Sequence, residues 1–269
     1  MSEVVMPHGA AAFFDLDRTL IDGSSAFAFA VAARRHDLVK RRQFLKDGVG
    51  ALAFRLAGAS DSKVDKVRER ILGSVAGNRQ TDLIALNPDI IPKLLDKVRP
   101  EAKQLLEMHS RAGRQTYIVS AAPQEIVEPL AHSLGMTSGI GTRSRVVDGM
   151  YTGALDGPFC YGEGKVEAMR ELANWHGYVL SECYAYSDSA SDLPMLEAVG
   201  HPVAVNPDGR LERHARRHGW PIVIFSQRTK SVIRRTMASA ATVGIAGASF
   251  AAGTAVAGSR NSSRSSRRR

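Results

Sequence analysis

Apolar residues along this chain follow two rhythms, and the change between them divides it. The first is an unbroken run, Ala10 to Phe14, that stops at two acids one residue apart, Asp15 and Asp17. A run of that length predicts a strand buried on both faces, followed by a loop. Ending such a strand on two carboxylates is costly unless the charges serve a metal or a reaction. From about Ser24 to Lys97 the rhythm turns helical and the polar positions turn basic. Ala26 to Val31 followed by Arg34-Arg35 predicts one helix, Phe44 to Leu56 a second, and Val64, Val67, Ile71 and Leu72 a third. No strand pattern appears there, so the stretch predicts a small all-helical domain.

From Pro100 onward, helical and strand patterns alternate. Helices are expected over 101–112, 123–134, 163–176 and 193–199. Strands are expected over 115–119, 183–187, 202–205 and 221–225, with a hairpin over 145–153 that turns at Asp148-Gly149. This alternation predicts an α/β fold: a doubly wound, mostly parallel sheet covered on both faces, with the helical domain inserted. The expected division is a core of 10–23 and 98–227, a helical cap of 24–97, and a tail of 228–269. Ligands of such sheets lie at the carboxyl ends of the strands. Three strands end at Asp15, Ser120 and Asp188, which predicts one shared site.

Composition narrows the picture only a little. The 269 residues carry a net charge of +9, but five arginines fall in the last eleven, and without them the charge is +4. Basicity therefore argues weakly for nucleic acid, which is not an expected partner. Two cysteines, Cys160 and Cys183, make no disulfide framework and suit a reducing, cytoplasmic setting. No signal peptide pattern is expected at the start, where 1–9 is polar and contains Pro7. The eight histidines show no metal-ligand spacing.

Residues 237–258 are uncharged for 22 positions, long enough to span a bilayer, yet mostly Ala, Gly, Ser and Thr. A weak membrane contact through 237–269, a helix attached to the core and a disordered tail are the three readings.

Four segments carry the candidate chemistry. They are Asp15 and Asp17; Ser120; Lys165 in Tyr161-Gly162-Glu163-Gly164-Lys165; and Asp188 with Asp192 in Ser187-Asp188-Ser189-Ala190-Ser191-Asp192. Carboxylates gathered at one place repel unless a cation joins them. All-oxygen ligands select a hard ion, which points to Mg²⁺.

Asp-x-Asp-x-Thr, then Ser, then Lys, then Ser-Asp-x-x-x-Asp, in this order and after strands, resembles the haloacid dehalogenase superfamily, in particular its phosphoserine-phosphatase-like branch with a helical cap. The resemblance covers about Ala10 to Phe225. It implies a Mg²⁺-dependent phosphatase acting on a small phosphorylated metabolite. Asp15 would be the nucleophile that forms an aspartyl-phosphate, and Asp17 the general acid and base. Thr19 would help hold the motif loop and Asp17. Ser120, Ala121 and nearby backbone N–H groups would hold phosphate oxygens. Lys165 would neutralise charge on nucleophile and phosphoryl group. Asp188, the Asp15 carboxylate and the Asp17 backbone carbonyl would bind Mg²⁺, with Asp192 supporting the metal shell or positioning Lys165.

The chain departs from that branch at Ser24, where phosphoserine phosphatases carry an acid nine residues after the nucleophile. It departs again at Ala121 in place of glycine and at Ser191 in place of asparagine. The resemblance therefore implies phosphatase chemistry without implying phosphoserine as substrate; Arg55 is one candidate among several for a carboxylate-binding cap arginine. Two alternatives stand beside it. One is phosphotransfer to an alcohol through the same intermediate. The other is a membrane- or polyanion-associated regulatory module with an idle site.

Overall fold

The structure is a computed structural model that describes residues 9–36, 68–69, 72–73 and 75–225. Six parallel strands make the main sheet: β1 (Ala11–Phe14), β2 (Gln115–Pro123), β3 (Ser138–Thr142), β6 (Tyr184–Ser187), β7 (His201–Val205) and β8 (Ile222–Val223). Their order is β3-β2-β1-β6-β7-β8, so the chain winds outward from β1 to one side and then to the other. A separate antiparallel hairpin, β4 (Ser144–Val147) and β5 (Met150–Leu155), turns at Asp148-Gly149. Both turn residues have positive φ, 50° and 76°, which is why an Asp-Gly pair suits a two-residue hairpin there.

Helices occupy both faces. On one face α6 (Glu163–His176), α7 (Leu193–Glu197) and α8 (Gly209–His218) share a core with Phe13, Tyr117, Val119 and Ala185. On the other, His109 of α4 (Pro100–Arg111) sits edge-on to the ring of Phe14, which stacks on Tyr186 at 4.5 Å. Phe13 and Phe14 thus point to opposite layers, as alternation along a doubly covered strand requires. α5 (Gln124–Ser133) packs on β2 and β3.

The described part of 24–97 is helix and turn: α1 (Ser25–Arg35), α2 (Gln80–Ile84) and α3 (Asn87–Leu95). α1 packs on α3 and α3 on α5, so this stretch rests on the carboxyl-end side of β2. The helix expected over Phe44–Leu56 lies outside the described residues, as does most of the one expected at Val64–Leu72. The tail readings over 228–269 also lie outside them. Among the described residues no helix is long and apolar enough to cross a membrane.

Two differences from the expected elements have local causes. β3, Ser-Gly-Ile-Gly-Thr, lacks a strand's usual residues, yet a Cβ at Gly139 would sit 2.6 Å from the carbonyl oxygen of Val127. Its glycines are there because α5 lies against the strand, a tertiary demand that overrides β propensity. β2 runs on through Pro123, so the following helix begins at Gln124 and Pro123 is its N-cap.

Candidate active site

The sheet's register brings three sequence-distant residues to one edge, within a step of each other. Phe14 pairs with Ile118 on one side and Tyr186 on the other. One step further along the parallel strands come Asp15, Val119 and Ser187, and then Ser120 and Asp188. The amide of Asp15 still donates to the Tyr186 carbonyl, 2.9 Å away, so the carboxylate leaves the sheet from a fixed backbone.

Lys165 enters from the first turn of α6. Its Nζ donates to Asp15 Oδ1 at 2.6 Å and to Asp192 Oδ2 at 2.8 Å. Asp15, Lys165 and Asp192 are 8%, 2% and 2% exposed, so this is a buried charge-assisted array. Burial alone would strip the lysine of its proton; the facing carboxylates of Asp15 and Asp192 outweigh it and raise the ammonium above its ordinary value. Asp192 stands at the N-cap of α7 but makes no side-chain cap; its Oδ2 accepts instead from Lys165 and, at 2.7 Å, from the Ser187 hydroxyl. Close packing fixes the lysine's approach: a Cβ at Gly164 would lie 1.9 Å from the Phe159 carbonyl oxygen.

Asp17 is held by the inserted segment. The N–H of Ser25, at the start of α1, donates to Oδ1 at 2.8 Å, and the Ser24 hydroxyl donates to Oδ2 at 3.1 Å. The Thr19 hydroxyl is buried and has no hydrogen-bond partner among the described residues, so it does not hold Asp17. The loop is closed by backbone bonds, from the amides of Leu20 and Ile21 to the Leu16 carbonyl and from Arg18 to the Gly23 carbonyl. Arg18 has φ 62°, a left-handed conformation that directs its guanidinium onto Asp188 Oδ2 at 2.7 Å.

The acids outnumber the cations. Asp15 and Asp192 share Lys165, Asp188 pairs with Arg18, and Asp17 accepts from the Ser24 hydroxyl and the Ser25 amide. Burial, then the charge of Asp15, pushes Asp188 up to about 8 despite Arg18. Burial, then the charges of Asp192 and Asp17, pushes Asp15 up to about 7 despite Lys165. Carboxyls that resist ionisation at the end of neighbouring strands fit a site completed by a further cation. Each ion pair uses one oxygen of its carboxylate. Among the described residues no three His, Cys, Asp or Glu side chains converge on a metal position. The donor set that fits is two carboxylates and a backbone carbonyl, Asp15, Asp188 and Asp17, whose hard oxygens suit Mg²⁺.

Ser120 is buried one step further along, and its Oγ accepts from the Ala122 amide at 3.2 Å. The Ala121 carbonyl accepts from the Thr142 hydroxyl at 2.9 Å, tying this turn to β3. Cys160 lies in the same neighbourhood, but burial pushes its thiol up to about 12, so it is not a thiolate nucleophile.

Every residue expected at the site except Thr19 makes a polar contact there or close beside it. Arg18, Ser24 and Ser187 hold these acids although the motifs assign them no role. For Arg18 and Ser187 the sequence signal is a charge and a hydroxyl adjacent to motif acids; Ser24 carries none.

A family model described as haloacid dehalogenase-like hydrolase matches residues 12–197. A probable phosphatase of Mycobacterium tuberculosis is 44% identical over 81% of this chain and 76% of its own. A phosphoserine phosphatase of the same organism, SerB1, is 39% identical over 90% of this chain and 79% of its own. The crystal structure of a Bordetella pertussis protein of unknown function superposes with a TM-score of 0.71 at 26% identity, over 80% of this chain and 98% of that one.

Proposed function

This chain belongs to the haloacid dehalogenase-like hydrolase family, among its phosphatases, and we propose that it hydrolyses a small phosphomonoester with Mg²⁺ through an aspartyl-phosphate on Asp15. The observation that carries the reading is the buried Asp15 carboxylate, fixed at the end of β1 and bonded at 2.6 Å to Lys165.

In the first step a carboxylate oxygen of Asp15 attacks phosphorus, and the bond from phosphorus to the ester oxygen breaks. Asp17 gives its proton to that leaving oxygen. In the second step water attacks the phosphorus of the aspartyl-phosphate and Asp17 takes the water's proton. Phosphate leaves and Asp15 is restored. Lys165, held by Asp192, supplies positive charge where phosphoryl oxygens gather, and Ser120 with the turn at Ala121 supports them from β2. Asp15, Asp188 and the Asp17 carbonyl would hold Mg²⁺, which would offset the repulsion between carboxylate and phosphate. Residues 24–97 serve in this reading as the cap, since α1 already holds Asp17.

Similarity to SerB1 favours phosphoserine. Against it, the side chain at position 24 is a neutral hydroxyl that donates to Asp17. We place the substrate among small phosphomonoesters and leave phosphoserine as one member of the panel. The test is phosphate release from an aryl phosphate and from a panel of phosphorylated metabolites, with Mg²⁺ and with chelator. Wild-type activity lost on chelation and in Asp15→Asn supports the reading; an Asp15→Asn protein that keeps full activity overturns it.

A further inference from the structure

One side chain outside the acid cluster grips the loop of Asp188. Asp208 is the N-cap of α8, and its Oδ1 accepts the N–H groups of Arg210 at 2.9 Å and Leu211 at 2.8 Å. Those bonds satisfy the helix and need only one oxygen. Oδ2 accepts the N–H of Ala190, 2.8 Å away and 18 positions earlier. The N–H of Asp208 donates to the carbonyl of Asp188, again at 2.8 Å.

We propose that Asp208 is a positioning residue for Asp188, clamping the backbone just after that carboxylate, at the Asp188 carbonyl and the Ala190 amide, so that it stays where a cation can use it. The inference rests on the reading of Asp15 and Asp188 as the Mg²⁺ site. The physical need is local. β6 ends at Ser187, so Asp188 lies just past the last residue that the strand ladder holds. Asp15 lies close enough that its charge opposes ionisation of Asp188, so ionising both would strain the Asp188 loop. The Ser187 hydroxyl, bonded to Asp192 and to the Ser189 amide, ties the loop on its inner side. The two Asp208 bonds tie it to α8. Outer partners of this kind set the orientation of a metal-binding carboxylate without touching the metal.

Asparagine separates this role from capping. In Asp208→Asn one oxygen can still accept from Arg210 and Leu211, because asparagine caps helices as well as aspartate does. Its amide would face the Ala190 N–H donor to donor, so the loop contact is lost. The experiment titrates the full-length protein with MgCl₂ by calorimetry and by shift in melting temperature, then follows aryl phosphate release against Mg²⁺. Asp208→Asn is expected to melt close to wild type, to bind Mg²⁺ about tenfold more weakly, and to recover kcat at saturating Mg²⁺. Leu211→Ala, which hollows the buried side of the same helix, is expected to melt lower with unchanged Mg²⁺ affinity.

Unchanged affinity in Asp208→Asn overturns the inference, as does an equal loss in Leu211→Ala. A wild-type protein that binds no Mg²⁺ overturns the underlying metal reading as well, so the two failures are read on different proteins.

Discussion

Asp15 and Lys165, 150 positions apart, meet at 2.6 Å in a setting where the lysine is buried and the aspartate keeps only a narrow opening to solvent. The lysine has a second carboxylate, Asp192, on its other side, so its ammonium is held between two acids. Replacing it with methionine leaves both acids buried without their counter-charge. Lys165→Met is expected to lower phosphate release by at least about 100-fold, the order of loss for a transition-state charge partner. Breaking a buried pair by removing one member also costs about 3–5 kcal/mol. Phosphate assays and urea denaturation of the same preparation check both effects; full activity in the variant would contradict the role given to Lys165.

Ser24 donates to Asp17 and does not touch Asp15 in any described contact. A group that positions a general acid matters most where the leaving oxygen is basic. Ser24→Ala is expected to slow an alkyl phosphate by about tenfold while slowing nitrophenyl phosphate far less, since proton donation is worth about 10²–10⁴ in full and the Ser25 amide remains. Ser24→Thr should restore the alkyl rate. Equal losses on both substrates would show that Ser24 serves only the fold.

Asp15 and Asp188 are pushed up to about 7 and about 8 from an ordinary 3.8. The folded, metal-free protein therefore keeps protons that the unfolded chain releases above about pH 4. Its stability falls as pH rises through that window, and the loss is complete once pH passes the folded values. If Asp15 and Asp188 hold Mg²⁺ as proposed, binding has to displace those protons, so affinity is expected to weaken from pH 8.5 to 6.5, and binding at pH 7 to release protons. Calorimetry in two buffers of different ionisation enthalpy measures the release; identical apparent enthalpies would contradict it.

His109 titrates with the opposite sign. It is fully buried, its Nδ1 accepts from Arg114 Nε at 2.8 Å, and its Nε2 faces the Tyr186 hydroxyl at 2.8 Å. With Nδ1 accepting, the neutral ring carries its proton on Nε2. Burial, then the charge of Arg114, lowers it from 6.5 to about 3. Its contribution to stability is present above about pH 6.5 and is lost as pH falls toward 3, at a limiting slope of about 1.4 kcal/mol per pH unit. Imidazole NMR signals of His109 should stay fixed from pH 8 to 5 while those of exposed histidines move. A midpoint near 6.5 would contradict this account.

Much of the fold could be read locally. Ala11 to Phe14 is apolar without alternation because both faces of β1 are covered, and that property is written in four adjacent residues. The Asp148-Gly149 turn was legible because positive φ at two successive positions selects those residue types. β3 was not legible: Gly139 and Gly141 answer to the approach of α5, which no pattern within Ser138–Thr142 records.

The site divides in the same way. The sequence by itself determined which strands end in acids, the order in which the acids, serine and lysine arrive, and hence the kind of chemistry. Alternation of strand and helix patterns carries that much, because the carboxyl ends of parallel strands lie along one edge of the sheet. Only the tertiary structure decided the partners: Arg18 on Asp188, Ser24 on Asp17, Ser187 and Lys165 on Asp192, and Asp208 on the Asp188 loop. Most of these contacts join segments from different crossovers. Their distances follow from how helices pack on the sheet, and hydrophobic periodicity specifies that a face is buried without specifying which polar group it will meet.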